Sequence, residues 1–472
     1  MAEARKPNFF QRAVMAVTKR LLPRAYTGSF ESAKYSIHRT RVDAVMPADF
    51  RLELSEAARI ELVRLSRWMF NNNGFYRQMA RDTSTYVVAD GFFLQALGGD
   101  PDWQSLVEAE WEAEMKTGEV TGRYSLLESL YLICEALDVD GEIFIIKTMK
   151  NNLPKYQIVE SHRVQTPPEL VGRPNIQEGI QFDEFGKPVF YYITSGDGKT
   201  FARRKASSVI HIYEPVRSTA VRAYPPHQHA LNNLRDEMDL LAMEKLAAKD
   251  NSRVSRILKT NDTNPDIGDV GLGEPTNRNP STDPSAISRT LGGVTAVLQP
   301  NEELVSHEYA RPTTAFNGFI DHLRRDSCMG AGLPHEVLVS PASVGGAAAR
   351  FIVAKTNRYV GRRQAVIVNK FLIPLFEFWL GTKIKKGDLP AARNWWKVEF
   401  QTGKPITVDA GRESANDRAD LMMGTLTPQE YFQMQGKNYE RAMLQKARNL
   451  QFRQKVAEAF NATPDELSLI HI

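Results

Sequence analysis

Apolar residues recur at helical spacing from Glu56 to about Phe70 (Ile60, Leu62, Val63, Leu65, Trp68, Met69). Asn71-Asn72-Asn73-Gly74 should end that helix, because Asn and Gly accept left-handed backbone angles. A second helix is predicted over Phe75–Thr83, followed by a strand over Thr85–Val88 and a turn at Asp90-Gly91. Asp102–Lys116 reads as an acidic helix burying Trp103, Leu106, Val107 and Trp111, and Leu126–Leu137 as an apolar one. Strands follow at Glu142–Ile146, Lys155–Val164 and Ser208–Tyr213. Ile176–Phe182 and Val189–Thr194 flank Asp183-Glu184-Phe185-Gly186 as a hairpin. This order lacks regular βαβ alternation, so the pattern predicts a helix-rich α+β fold.

The second half differs in kind. A long helix is expected from His229 to Ile257, then a polar stretch rich in Pro, Gly, Asn and Asp from Leu258 to Pro312, with short strands at Thr295–Leu298 and Glu303–Tyr309. So long an irregular segment within a compact domain points to a working loop. A helix over Thr313–Ala331 follows, then a small-residue loop at Ser340–Ala347 and a helical run from Ala347 to Leu380. Pro374 should kink that run by removing a donor and crowding the preceding turn. Trp395–Phe400 alternates as a strand, and Thr427-Pro428-Gln429-Glu430 opens a C-terminal helix running on past Gly436-Lys437-Asn438 to about Phe460.

Composition narrows the function. A net charge of +4 over 472 residues makes the chain no polycation, so contact with nucleic acid must come from local patches. The N-terminus holds such a cluster (Arg5, Lys6, Arg12, Lys19, Arg20, Arg24), read as a basic arm or a solvated tail. Another lies on the third long helix. Arg350, Lys355, Arg358, Arg362, Arg363 and Lys370 fall there with no Asp or Glu among them. They suit a phosphate backbone or, alternatively, acidic faces of neighbouring subunits such as the 102–114 helix. Ser343, Val344, Gly345 and Gly346 form a loop without bulky polar groups, able to approach another surface closely. Cys134 and Cys328 stand apart and read as buried thiols. Asn369, Lys370, Pro374 and Glu377 interrupt the most apolar stretch, which argues against a membrane span.

Chemistry is sparse. Ser195-Gly196-Asp197-Gly198-Lys199-Thr200 resembles the end of a phosphate-binding loop, but Ile193 occupies the position of its first glycine and a hairpin turn is expected there. His227-Gln228-His229 lacks a companion ligand motif and reads as a helix entry. Asp138 and Asp140 read as surface turn groups. No catalytic, cofactor-binding or metal-ligating set emerges.

The segments Ile176–Tyr192, Val209–Arg217, Phe319–Arg325, Gly330–Pro334, Ala347–Arg350, Gly424–Thr427 and Gly436–Tyr439, in that order, resemble the tailed-bacteriophage portal proteins of the lambda type. The resemblance covers roughly residues 55–450. It implies a non-enzymatic dodecameric ring at one capsid vertex, placed in the virion and assembled in the host bacterial cytoplasm. Double-stranded DNA would pass its channel without sequence preference. Its partners would be the terminase large subunit, a head-tail adaptor and the major capsid or scaffold protein.

By position, 1–54 would be a basic arm, 55–225 the wing, 226–256 and 313–333 stem helices and 257–312 the clip. Residues 336–348 would be the tunnel loop, 349–382 the long kinked helix, 383–410 wing strands and 411–472 a short, helical crown. The resemblance makes Arg350, Lys355, Arg358, Arg362, Arg363 and the loop Ser343–Gly346 the DNA-channel candidates, although Ser340–Gly346 lacks the polar and aromatic residues usual there. Rival readings are another capsid-assembly protein or an ATP-driven packaging motor, the latter disfavoured by the failed phosphate loop.

Overall fold

The computed structural model describes residues 49–50, 54–196, 198–259, 294–298, 314–339, 345–402, 406–408, 410–435, 437 and 439–460. The expected basic arm, most of the Leu258–Pro312 stretch including the Glu303–Tyr309 strand, and Ser343 and Val344 lie outside them. Two units are distinct. Among the described residues, the smaller comprises 49–50 and 54–56 with Val216–Val221. In it the Phe50 N–H donates to Thr219 Oγ1 at 3.0 Å. Everything below concerns the larger unit.

Helix α1 (Glu56–Asn72) stops at the expected asparagines, and Asn73 caps α2 (Gly74–Val88) by accepting from the Tyr76 N–H. The strand expected at Thr85–Val88 is helix instead. Thr83 and Thr85 return their hydroxyls to the Met79 and Arg81 carbonyls, both at 2.8 Å, while Val87 and Val88 are buried. Tertiary burial thus overrides their β preference. Strand β1 (Phe93–Ala96) precedes α3 (Pro101–Met115), capped by Asp100, and α4 (Leu126–Val139), which carries a Ser125/Glu128 capping box. Trp103, Val107 and Trp111 are buried as expected, whereas Leu106 is 43% exposed.

Strands β2 (Glu142–Lys150) and β3 (Leu153–Glu160) form a hairpin across Asn151-Asn152, whose φ values of 50° and 63° suit a tight turn. With β8 (Val209–Tyr213) they make an antiparallel sheet in the order β3-β2-β8. A second sheet, β4-β5-β6-β7, comprises Ile176–Gln177, Ile180–Phe182, Pro188–Thr194 and Phe201–Lys205. The expected single strand Ile176–Phe182 is thus two, turned at Glu178-Gly179. The β6–β7 hairpin is closed by Ser195 N–H to Thr200 O at 2.8 Å. The phosphate-loop look-alike is therefore a hairpin turn leading into a strand. The two sheets share Phe144, Ile146, Val159, Ile180, Tyr191 and Ile193 as a buried layer.

Helix α5 (Ala230–Arg253) continues into β9 (Val254–Lys259), which pairs in parallel with β10 (Val294–Leu298). Then come α6 (Thr314–Ala331) and the short α7 (His335–Leu338). Helix α8 (Gly346–Ile367) passes through a π turn (Val368–Leu372) into α9 (Ile373–Lys386). The irregularity thus falls just before Pro374, where the Ile373 N–H reaches back five residues to the Val368 carbonyl.

This run is long and apolar enough to cross a membrane by length and composition alone. Its apolar residues Phe371, Leu372, Leu375, Phe376, Trp379 and Leu380 are instead buried in the main core with α3, α4 and β2. Trp111 meets Trp379 edge-on at 5.3 Å, and the Trp379 Nε1–H donates to Glu114.

Strand β11 (Val398–Gln401) pairs with β1. The C-terminal part is helical, as α10 (Ala410–Met423), α11 (Pro428–Met434) and α12 (Tyr439–Phe460). The predicted continuous helix is therefore broken between Met434 and Tyr439. Residues Cys134 and Cys328 are both buried free thiols. Burial pushes the Cys328 thiol up to about 12.

Candidate nucleic-acid interface

Helix α8 begins at Gly345, which sits in extended backbone as its N-cap. Both Gly345 and Gly346 are exposed, and so is Arg350. Lys355, Arg358 and Arg362 recur at three- and four-residue spacing on one exposed stripe. The Arg362 side chain is 72% exposed and lies 3.6 Å from Glu214. No carboxylate belongs to α8 itself, so the stripe is uniformly cationic along the helix.

The fifth candidate on α8, Arg363, is elsewhere. It shares the opposite stripe with Thr356, Val360 and Ile367 and is 3% exposed. Its Nη2 donates to Asp138 Oδ1 at 2.9 Å, and its Nε is 2.6 Å from Glu214 Oε1. The reason is geometric: at about 100° per residue, Arg363 lies roughly a quarter-turn from Arg362. Its guanidinium is engaged inside the subunit, which removes it from the set presented to solvent. Lys370 is half-buried, donating to the Tyr213 carbonyl at 2.7 Å and lying over the Tyr213 ring.

Asp138 and Asp140, read from sequence as surface groups, are buried. Asp138 falls on the same α4 stripe as Leu130 and Cys134, four residues apart. Burial works to raise its carboxyl, but the Arg363 guanidinium and the neighbouring His227 hold it below the usual carboxylate range. His227 Nε2 is 3.4 Å from Asp138 Oδ1, and Tyr76 packs edge-on against the imidazole. The phenol of Tyr359, 3.2 Å from Arg363, is pushed up to about 12 by burial. Asp140 accepts from the Arg67 Nε at 2.7 Å.

A second ionic centre lies at the base of β2. Glu142, fully buried, accepts from Arg222 Nε at 2.7 Å and from the Ala223 N–H at 3.1 Å, and His211 Nε2 is 2.9 Å away. Arg222 also donates to the Val164 and Ser161 carbonyls, each at 3.0 Å. Arg59 bonds Glu178 and lies 3.6 Å from Glu142. Burial raises the Glu142 carboxyl, but Arg222 and His211 outweigh it and the net shift is downward. His211 is itself held down by burial against the pull of Glu142.

The first turns of α5 are stitched to the last turns of α6. His229 Nε2 meets the Ser327 carbonyl at 3.1 Å, Asn233 donates to Asp326 at 2.7 Å, and Arg324 donates twice to buried Glu237, at 2.8 and 2.6 Å. Gly330 faces the His229 ring so closely that a Cβ would overlap it. Gly332, at φ 86°, ends α6 with its N–H on the Cys328 carbonyl. The two histidines weighed as a metal pair therefore serve different contacts, His227 on Asp138 and His229 on Ser327.

Residues 46–364 match the sequence model described as phage portal protein, lambda family, well over half of the 472 residues. The chain belongs to that family. A similar curated protein is the probable portal protein of Halomonas phage phiHAP-1, 25% identical over 189 residues. That alignment takes in 36% of this chain and 35% of the relative's length.

Among solved structures, this portal protein is similar to a chain in the virion of a native gene transfer agent particle (14% identity, TM-score 0.47, covering 80% of this chain and 93% of that one). It is also similar to a chain in the neck of the empty gene transfer agent particle computed with C6 symmetry (13%, 0.47, 80% and 93%).

The family is structural rather than enzymatic. In this portal protein the matched span takes in both ionic centres and the α5–α6 pair, and it closes at Gln364, one residue past Arg363. The α+β, helix-rich expectation holds.

Proposed function

We propose that this portal protein assembles as a dodecameric ring at one capsid vertex of a virion, formed in the host bacterial cytoplasm. Double-stranded DNA enters and leaves through its channel. In this reading 226–256 and 313–333 are the stem, 257–312 the clip, and 336–348 the tunnel loop. Residues 349–382 are the long helix, 55–225 and 383–410 the wing, and 411–472 the crown. The terminase large subunit, a head-tail adaptor and the major capsid or scaffold protein are its partners.

The observation that carries the DNA-facing part is the α8 stripe. Arg350, Lys355, Arg358 and Arg362 are exposed along a helix without acids, while Arg363 ties that helix to its own subunit core. Cations on one exposed stripe suit a backbone whose charge repeats without regard to base sequence. The loop Ser343-Val344-Gly345-Gly346 precedes the stripe and, lacking bulky groups, lets it approach the duplex.

Sedimentation of the full chain should give a large oligomer, annular by negative-stain microscopy. Replacing Lys355, Arg358 and Arg362 together by Ala should leave the rings intact and reduce salt-sensitive duplex retention. A monomer at micromolar concentration, indifferent to salt, would overturn the ring. Unchanged retention in the triple variant would overturn the assignment of the stripe.

A further inference from the structure

Strand β7 ends its four-stranded sheet, pairing only with β6 among the described residues, in a register from Phe190↔Lys205 to Thr194↔Phe201. Its outer row of backbone N–H and C=O groups is therefore left to whatever lies beyond the sheet. The strand is exposed from Ala202 to Lys205. From Gly198 to Tyr213 the chain carries Lys199, Arg203, Arg204 and Lys205 and no carboxylate.

Both faces of this edge are organised. On one, Arg203 lies 3.6 Å above the Phe190 ring and donates to Gln181 Oε1 at 3.3 Å, which holds its guanidinium in place. On the other, Arg204 borders an open cleft of about 200 Å³ between β7 and the β2–β3 hairpin. Half-buried Arg163 and Gln157 line that cleft beside buried Ile146, Val159 and Ile193. Arg163 is itself fixed by two bonds to the Thr194 carbonyl, at 3.0 and 2.6 Å.

We propose that the β7 edge is a docking site for an extended, acidic polypeptide segment of a partner protein, which adds a strand to the sheet beside Arg203, Arg204 and Lys205. Charge selects an acidic partner, since the edge brings cations and its own strand supplies no counter-charge. Backbone chemistry selects a polypeptide over nucleic acid. The edge offers donors and acceptors in alternation, and a phosphate chain supplies acceptors alone. Main-chain pairing would provide the affinity, and the guanidiniums on the two faces would read alternate side chains.

The test uses the full chain and a fluorescent peptide of alternating Glu and Val, read by anisotropy and by hydrogen exchange. Binding should slow exchange at the β7 amides. Reversing Arg204 and Lys205 to Glu should weaken it by about tenfold or more. N-methylation of alternate peptide amides, which removes pairing and keeps charge, should also weaken it by about tenfold. Should the reversed variant fold poorly, the N-methylated arm still decides. Equal binding of the N-methylated peptide, displacement of the peptide by short duplex DNA at lower concentration, or no binding at millimolar peptide would each overturn the proposal.

Discussion

Arg363 and Arg362 are adjacent cations with different work. Removing the Arg363 side chain strands Asp138 and its charge in the core, so Arg363→Ala should cost about 3–5 kcal/mol in denaturant unfolding, whereas exposed Arg358→Ala should stay within about 0.5 kcal/mol. Equal losses would deny Arg363 its structural role. The Glu142 centre gives a pH dependence. The folded carboxyl titrates below the usual 4.5 and the folded His211 below the usual 6.5. In both cases the unfolded chain takes up the proton first as pH falls. Stability is therefore full above about 6.5 and declines on acidification, first through His211 and then, below about 4.5, through Glu142. Glu142→Gln should flatten the lower limb of that decline in thermal unfolding; an unchanged limb would place the acid sensitivity elsewhere. The four-residue spacing of Asp138 from Leu130 and Cys134 puts it on the buried stripe, against its reading as a surface turn group, while its partners come from α8 and the approach to α5, far away in sequence.

Element by element, legibility followed the strength of the apolar period. Helices α1, α3, α4, α5 and α6 were read from it, as was the buried strand β2. Strand β7 and helix α10 show no apolar period of their own, and α10 was expected to be helical only as part of the crown: β7 is mostly cationic, and the described side chains of α10 are mostly exposed. Neither has a stripe to read. The α5–α6 pair depends on a close approach that periodicity does not encode. Gly330→Ala should force the two helices apart at His229, lower the unfolding midpoint and be rescued in large part by His229→Ala, since the obstacle is the imidazole. Failure of that rescue would mean that the backbone, rather than the ring, sets the spacing.

For the whole molecule, the order of segments carried more than any one motif. Family membership rests on the long match from residue 46 to 364, a level of evidence that no short motif reaches. The cationic helix was legible because its charges lie close together in one stretch with no carboxylate between them. Their division between solvent and core follows the helical period, which separates Arg363 from Lys355, Arg358 and Arg362. Lone residues such as His211 and Arg222 had no neighbours in sequence to mark them, and only folding brings them to Glu142.

The wide turn at Val368–Leu372 gives the long helix one residue of slack, because five residues there turn through about as much as four do in an ordinary α-helix. Deleting one position would let the segment close as α-helix and leave the bearing of the upstream arm almost unchanged. A second deletion would find no slack, and everything before it would rotate by about 100°. The solvent-facing guanidiniums of Arg358 and Arg362 would then swing toward the protein, and Arg363 would leave its carboxylates.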